Sequence, residues 1–424
     1  DKTSWYEWVG VGLYARKYLA DRLDSRQIGV VGLRDGGEVA WKLAYAGEFS
    51  CAVPVCAGGW RAYIGFNKFG DSEPVFDEER HRFIAAVDSQ SYAPYVRCPV
   101  LMLCSTNDPL FDYDRAYDTF SRINPECASD SVISYSISCN AAVDPEGVKD
   151  MFMFLDKHVK CRQVFIPKPA ELAVYADEES NLAARVINDS AGEVESVKVF
   201  MAEDCKNSLT RDWMAARPRE AADVDCREYF LDIHEGASIL FAICGVTYTN
   251  GFTVWSKITV KKLSGAFRNS RPVGKVMYSS RSGADCFCVA DVKECALAGM
   301  FFIDYGCFPA VIDCGSGLKG LYSPCGLATY RLTNPAFAPS EDSVLGMDVF
   351  AEETGVFQIE IRDGVDGELY AAHVNVVGGA WQNVVAESKL FKNAAGKSFS
   401  GFKQGLMLAV KFNAKFAVNN VMWL

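Results

Sequence analysis

Residues 27–47 read QIGVVGLRDGGEVAWKLAYAG, and the rest of the chain is organised around them. Ile28 to Val31 is a short apolar run of the kind that makes a buried strand. Gly32 follows, then Leu33-Arg34-Asp35, then Gly36 and Gly37, and a helical pattern runs on to Ala46. Strand, glycine-framed turn and helix are the layout of a nucleophile elbow, in which G-x-S-x-G lifts the middle side chain above the end of a sheet. Here the frame is Gly32-Leu33-Arg34-Asp35-Gly36, so Arg34 occupies the nucleophile's seat. A guanidinium stays protonated and cannot attack a carbonyl.

Before this stretch, Trp5 to Leu23 reads as an amphipathic helix, with Trp8, Val11, Leu13, Tyr14, Tyr18 and Leu19 near helical spacing. After it come a buried strand at Ser50–Val55 and a polar, aromatic-rich insert from Arg61 to Tyr95. The insert's Asn67, Gly70, Asp71, Pro74 and Asp77 break regular structure, and a lid or cap is its expected role. Strands at Pro99–Cys104 and Ser131–Ser138 alternate with helices at Tyr113–Ile123 and Glu146–Val159. That alternation implies parallel βαβ units, with ligand sites beyond the carboxyl ends of the strands.

Past Pro167 the period changes to two. Strands are expected at Leu172–Ala176, Leu182–Ile187, Ser196–Ala202, Glu228–Ile233, Ser238–Thr249 and Thr253–Val260, with Asn250-Gly251 as a turn. This spacing reads as an immunoglobulin-like sandwich. Beyond Ser264-Gly265 the clearest strands are Val356–Arg362, Glu368–Val377, Trp381–Val385, Leu406–Phe412 and Ala417–Trp423, with a hairpin turn at Asp363-Gly364-Val365-Asp366-Gly367. A jelly roll is the expectation there.

The first 160 or so residues resemble the C-terminal half of an α/β-hydrolase domain, with bacterial acetyl xylan esterase and dienelactone-hydrolase-like proteins as the nearest likeness. PVLMLCSTNDPLF is similar to that family's strand carrying the acid of the triad, which places the acid on Asp108. SYSISCNAAVDPE is similar to the loop that carries the histidine. Asn140 matches the family's P-N-x-x-H pattern and Val143 takes the histidine's place, or Ala142 if the register slips by one. The resemblance therefore implies vestigial triad positions Arg34, Asp108 and Val143, with only the acid retained. VKVFMAEDCKNSLTRDWMAA and FAICGVTYTNGFTVWSKI are similar to a β-sandwich that follows the hydrolase domain in such proteins, with Trp213 and Trp255 in structural positions. GAWQNVVAESKLF and AVNNVMWL look like strands of a carbohydrate-binding-type jelly roll. The expected architecture is multidomain: a partial α/β-hydrolase (1–163), its parallel sheet having helices on both faces, followed by an all-β immunoglobulin-like sandwich (164–265) and a β jelly roll (266–424). A hydrolase sheet has further strands before the elbow strand, so upstream sequence or a partner chain is expected to complete it, covering an otherwise exposed edge.

Serine–histidine–acid chemistry needs an imidazole oriented by the acid. The four histidines are His81, His158, His234 and His373, and none follows the fourth strand at the right place. His158 is read as a solvated helix-terminal residue favoured by the helix dipole. Asp35 is a rival nucleophile, but it too lacks a base. For Arg34 two readings stand: a salt bridge to Asp108, which would depress the Asp108 pKa and fill the space left by serine and histidine, or capture of a small anion at the helix N-terminus. Arg34, Asp35, Asp108 and Trp60 are the candidate ligand-binding residues, Trp60 by stacking on a sugar. Asp348, Asp363 and Asp366 could join a calcium site, although turn chemistry explains the last two equally.

The 424 residues are too many for one core, half are apolar, and no run of 18 apolar residues argues for a membrane span. A net charge of −11 without a basic patch leaves nucleic acid a poor partner. Sixteen cysteines are scattered singly through apolar runs without a C-x-x-C, as small core hydrophobes in a reducing compartment would be, and no metal or cofactor is expected. The leading functional expectation is a degenerate hydrolase-fold protein retained for binding, with carbohydrate as the ligand class to consider. The alternatives are an active carbohydrate esterase using upstream or non-standard residues, and a structural or assembly protein.

Overall fold

A helix, α1 (Ser4–Leu23), precedes four short apolar strands: β1 (Gly29–Leu33), β2 (Cys51–Val55), β3 (Leu101–Ser105) and β4 (Val132–Ser136). The strands lie side by side in that order and every neighbouring pair is parallel. The structure, a computed structural model, describes residues 3–23, 27–139, 142–189, 191–219, 226–290, 305–315 and 317–424. Every residue of β2, β3 and β4 is buried, as a helix-covered parallel sheet requires. The connections carry α2 (Asp35–Ala46), α3 (Glu78–Ala86), α4 (Tyr113–Phe120), α5 (Pro125–Ala128) and, after β4, α6 (Pro145–His158).

α1 forms where the periodicity places it but has no fully buried residue. It touches α2 closely at Gly12, where a Cβ would meet a Leu43 methyl at 2.6 Å. Leu13 packs inward, whereas Val11, Tyr14 and Tyr18 face solvent, Tyr14 at 80 % exposure. Much of the expected apolar face is therefore uncovered. Among the described residues no strand pairs with the outer edge of β1, where Val31 is 40 % exposed.

The chain then turns antiparallel. β5 (Glu171–Ala176), β6 (Leu182–Ile187), β7 (Val194–Glu203), β8 (Met214–Ala215), β9 (Arg217–Pro218), β10 (Cys226–Phe230), β11 (Ile239–Tyr248), β12 (Thr253–Trp255) and β13 (Thr259–Lys262) form two sheets, ordered β5-β6-β10-β9 and β12-β11-β7-β8, with β13 beside β11. The single strand expected over Thr253–Val260 is two. Buried Ser256 sits at the break, its hydroxyl accepting from Cys244 N and donating to Lys257 O, both at 3.0 Å.

The last region adds β14 (Val276–Tyr278), β15 (Cys288–Val289), β16 (Ala310–Asp313), β17 (Lys319–Tyr322), β18 (Leu327–Thr329), β19 (Leu345–Ala351), β20 (Gly355–Asp363), β21 (Leu369–Val376), β22 (Trp381–Ala386), β23 (Gly405–Lys411) and β24 (Phe416–Trp423). They build one sheet ordered β16-β17-β24-β19-β22, with β14 beside β24, and another ordered β15-β18-β23-β20-β21. β19 is central to the first, although Gly346 and Asp348 interrupt its apolar pattern in sequence.

The sheets share one core. A single apolar cluster runs from Val53 and Leu103 through Leu182 and Leu240 to Val349 and Val418. A buried ion pair reinforces the first junction. Arg211, between β7 and β8, meets Asp114 of α4 with two 2.8 Å bonds, neither side chain reaching solvent, and its guanidinium lies 3.7 Å from the Phe241 ring centre. Asn107, just past β3, donates to the Leu209 and Arg211 carbonyls at 2.8 and 2.9 Å.

Candidate functional site

The elbow is built as its glycines require. Arg34 has φ 51° and ψ −113°, a strained backbone for a residue with a side chain. Its N–H donates to Val55 O at 2.9 Å, and its carbonyl accepts from Glu38 N as α2 begins. A Cβ at Gly32 would meet Gly36 O at 2.0 Å, and one at Gly37 would meet the Ala57 Cβ at 2.6 Å. The second indispensable glycine is thus Gly37; a Cβ at Gly36 meets nothing within 4 Å.

Asp108 lies past β3, only 6 % exposed. Its Oδ1 accepts from the backbone N–H groups of Leu110 and Phe111 at 2.8 and 3.2 Å. The expected depression of its pKa is not what the surroundings produce. Burial pushes it up to about 6, outweighing the amides and the attraction of Arg34. Two further residues, Cys56 and Ser105, complete this cluster and escaped sequence reasoning. Cys56, at φ 48°, follows β2 and places its sulfur 3.3 Å from Ser105 Oγ. Ser105 Oγ in turn donates to Ala142 O at 2.6 Å. Burial, followed by the nearby Asp108 charge, raises the Cys56 thiol to about 12, so it is no nucleophile at neutral pH. The remaining cavity among Cys56, Gly59, Ser105, Asp108 and Phe111 is about 10 Å³, at the lower limit for one water.

Val143 is fully buried in the main core, its methyl lying where a Cβ on Gly147 of α6 would meet it at 2.7 Å. Ala142 is equally buried. Asn140 falls outside the described residues. No histidine supplies the missing base. His158 is half-buried against Phe154, with ring centres 4.4 Å apart. Burial, then neighbouring Lys157, lowers its pKa to about 4, so the expected solvated, dipole-stabilised imidazolium is instead a neutral packed ring. His234 pairs with Glu203 at 3.0 Å, His81 lies beside Phe76, and His373 sits on β21 opposite Gln358.

Asp35 and Trp60 are occupied. Asp35 is paired with Arg61, whose guanidinium lies over Trp5. Trp60, in the left-handed region at φ 59°, donates from Nε1 to Thr119 Oγ1 at 3.1 Å and has Arg115 and Arg122 over its ring. The 61–95 insert is strapped down. Asp88 accepts from Ala62 N, and Lys42 of α2 donates to Val87 O at 2.5 Å beside buried Glu38. Only the i,i+4 spacing of Glu38 and Lys42 was visible in sequence. Among the described residues no group of three or more His, Cys, Asp or Glu side chains could hold a metal. Asp348 takes amides from Asn383 and Asn420, whereas Asp366 pairs with Lys397, and Asp363 accepts from Val365 N. No helix among the described residues is long and apolar enough to cross a membrane.

The open space lies elsewhere, past the carboxyl end of β4. A cavity of about 530 Å³ is walled by the first turn of α6, by β7, β11 and β12, and by residues 284–288 and 308–309. Its floor includes Phe200, Trp255 and Phe287, all buried, and its rim includes Glu195, Lys198 and Asp285, all exposed. Asp144 caps α6 by accepting from Gly147 N at 2.7 Å, and burial raises its pKa to about 7.

The N-terminal layer thus has an α/β-hydrolase-like fold: a parallel sheet, an elbow with the strained central residue, and an acid past a later strand. No family model matches the chain, and no curated protein matches it. Among solved structures, the Pyrococcus furiosus esterase Pf2001 is similar over 30 % of this chain at 18 % identity, with a TM-score of 0.23; the match spans half of that esterase's length. The Paleococcus ferrophilus monoacylglycerol lipase is similar at 14 % identity over 36 % of this chain and 76 % of its own, TM-score 0.25. SGBP-B, from a xyloglucan utilization locus of Bacteroides uniformis, is similar at 13 % identity over 62 % of this chain and 74 % of its own, TM-score 0.18.

Proposed function

We propose that this chain is a binding protein made on an α/β-hydrolase-like layer that no longer performs serine-hydrolase chemistry, and that its ligand is a carbohydrate held in the cavity past β4. In this reading residues 164–265 act as an immunoglobulin-like sandwich and residues 266–424 as a jelly roll of carbohydrate-binding type. One observation carries the loss of chemistry. The elbow is intact in backbone, yet its central side chain is the permanently charged Arg34, and the histidine position is a core valine. The cavity supports the binding half. Its volume is that of a small-molecule site, it lies past the carboxyl end of a parallel strand, and its aromatic floor with a polar rim suits the apolar faces and hydroxyls of a sugar.

The test has two arms. A fluorophosphonate probe and p-nitrophenyl acetate are expected to give no labelling and no turnover above buffer. Turnover lost on Asp35→Asn or Asp108→Asn would overturn the pseudoenzyme reading. In the second arm, calorimetric titration with xylo-oligosaccharides is expected to show binding that Ser196→Trp, a bulky change on the cavity wall, removes without lowering Tm. Binding unaffected by that change would place the ligand elsewhere.

A further inference from the structure

We infer that Cys307 and Cys325 are a redox-linked pair that closes into a disulfide and clamps the rim of the cavity past β4. Cys325 Sγ donates to Cys307 Sγ at 3.2 Å. The backbones are already tied. Ser323 Oγ donates to Cys307 O at 2.7 Å and accepts from Cys325 N at 3.2 Å. Both residues are only half-buried and share a small apolar cluster with Ala142, Val289 and Phe308, so a small thiol reagent can approach without unfolding the core. The other described cysteines lie for the most part fully buried, where burial raises their thiols and withholds them from exchange.

The chemistry is thiol–disulfide exchange with a small-molecule disulfide such as oxidised glutathione. One cysteine, as the thiolate, attacks a sulfur of the reagent, forming a mixed disulfide and releasing the first reduced thiol. The second cysteine, after losing its proton to water, attacks the protein-bound sulfur and expels the second reduced thiol. The protein loses two electrons, the reagent gains them, and the two protons end on the released thiols. The bridge closes a loop containing β16 and β17 and fixes the segment that leads directly into Phe308 and Pro309, which line the cavity.

The test uses the whole chain. After equilibration with oxidised glutathione, alkylation and peptide mapping without reductant are expected to recover a Cys307–Cys325 cross-linked peptide. Tm is expected to rise by about 5 °C or more over the reduced protein. The Cys307→Ser/Cys325→Ser variant, or Cys307→Ala/Cys325→Ala if the serines impair folding, should show no such rise. Recovery of both cysteines as alkylated thiols, or as separate glutathione adducts, would overturn the inference. So would an equal Tm response in the double variants.

Discussion

Two places at the carboxyl ends of the same four parallel strands have gone opposite ways. Past β2 and β3, where Cys56 and Asp108 stand, side chains pack closely and the cavity among them is about 10 Å³. Past β4, where a histidine loop would lie, the sheet meets the later β regions and about 530 Å³ stays open. The difference teaches that backbone and chemistry are separable. The elbow keeps its strained φ at Arg34 because Gly32 and Gly37 still allow strand and helix to meet closely there, whether or not a nucleophile sits between them. The open end depends instead on how a second body of the chain is held against the first.

The largest effect should come from breaking that hold. Arg211→Met leaves Asp114 charged, dry and unpaired, and we expect a loss of about 3–5 kcal/mol in urea unfolding. Arg211→Met with Asp114→Leu should recover most of it, since an apolar pair of similar volume replaces both charges. A loss under 1 kcal/mol for the single change would mean that the ion pair does not hold the junction.

The closed end is sharpened by titration. Asp108 has a folded-state pKa near 6 against an ordinary 3.8, so the fold favours its neutral form. Its stabilising contribution is complete below about 4 and is lost as pH climbs through about 6. Asp108→Asn should therefore raise stability by about 1–3 kcal/mol at pH 8, and the gain should vanish by pH 4. A gain independent of pH would show that Asp108 is not held dry.

The smallest effect concerns the strain itself. Arg34→Gly and Arg34→Ala both delete the guanidinium, but only glycine tolerates φ 51° with ψ −113° freely. Glycine should be the more stable of the two by about 1–2 kcal/mol in thermal unfolding. Equal stability would mean that the elbow relaxes once the arginine is gone.

Much of the fold was legible because its signals are local. Glycine spacing placed β1, the turn and α2, and apolar runs placed β2 to β4 within a residue or two at most ends. Period-two alternation found most strands of the middle region, and Asp363 to Gly367 did turn a hairpin between β20 and β21. Where the reading failed, one residue type had two uses. Asp77 has the residue type of a breaker in the 61–95 insert, yet it caps α3, accepting from Arg80 N at 2.8 Å. The site was less legible. Arg34 and Val143 stand out by residue type alone at the elbow and loop positions, but the sign of the Asp108 shift depends on burial, which no local pattern carries. Cys56 and Ser105 met only in space, 49 positions apart. The cavity is lined by five separate stretches of chain, and nothing within any one of them marks it.

The continuous apolar cluster has a consequence for how this chain can be divided. Val53, Leu103 and Phe154 of the hydrolase-like layer bury themselves in the same body as Leu182, Leu240 and Val246. Cutting the polypeptide after residue 163 would therefore strip hydrophobic surface from both pieces and remove the wall that Asp144 and α6 lend to the cavity. The parallel layer is therefore not separable from the rest. Expression of either fragment alone should give insoluble or molten material, and a protease that nicks the intact protein should leave its fragments associated. The parallel layer thus serves as one wall of the body that the later β regions complete.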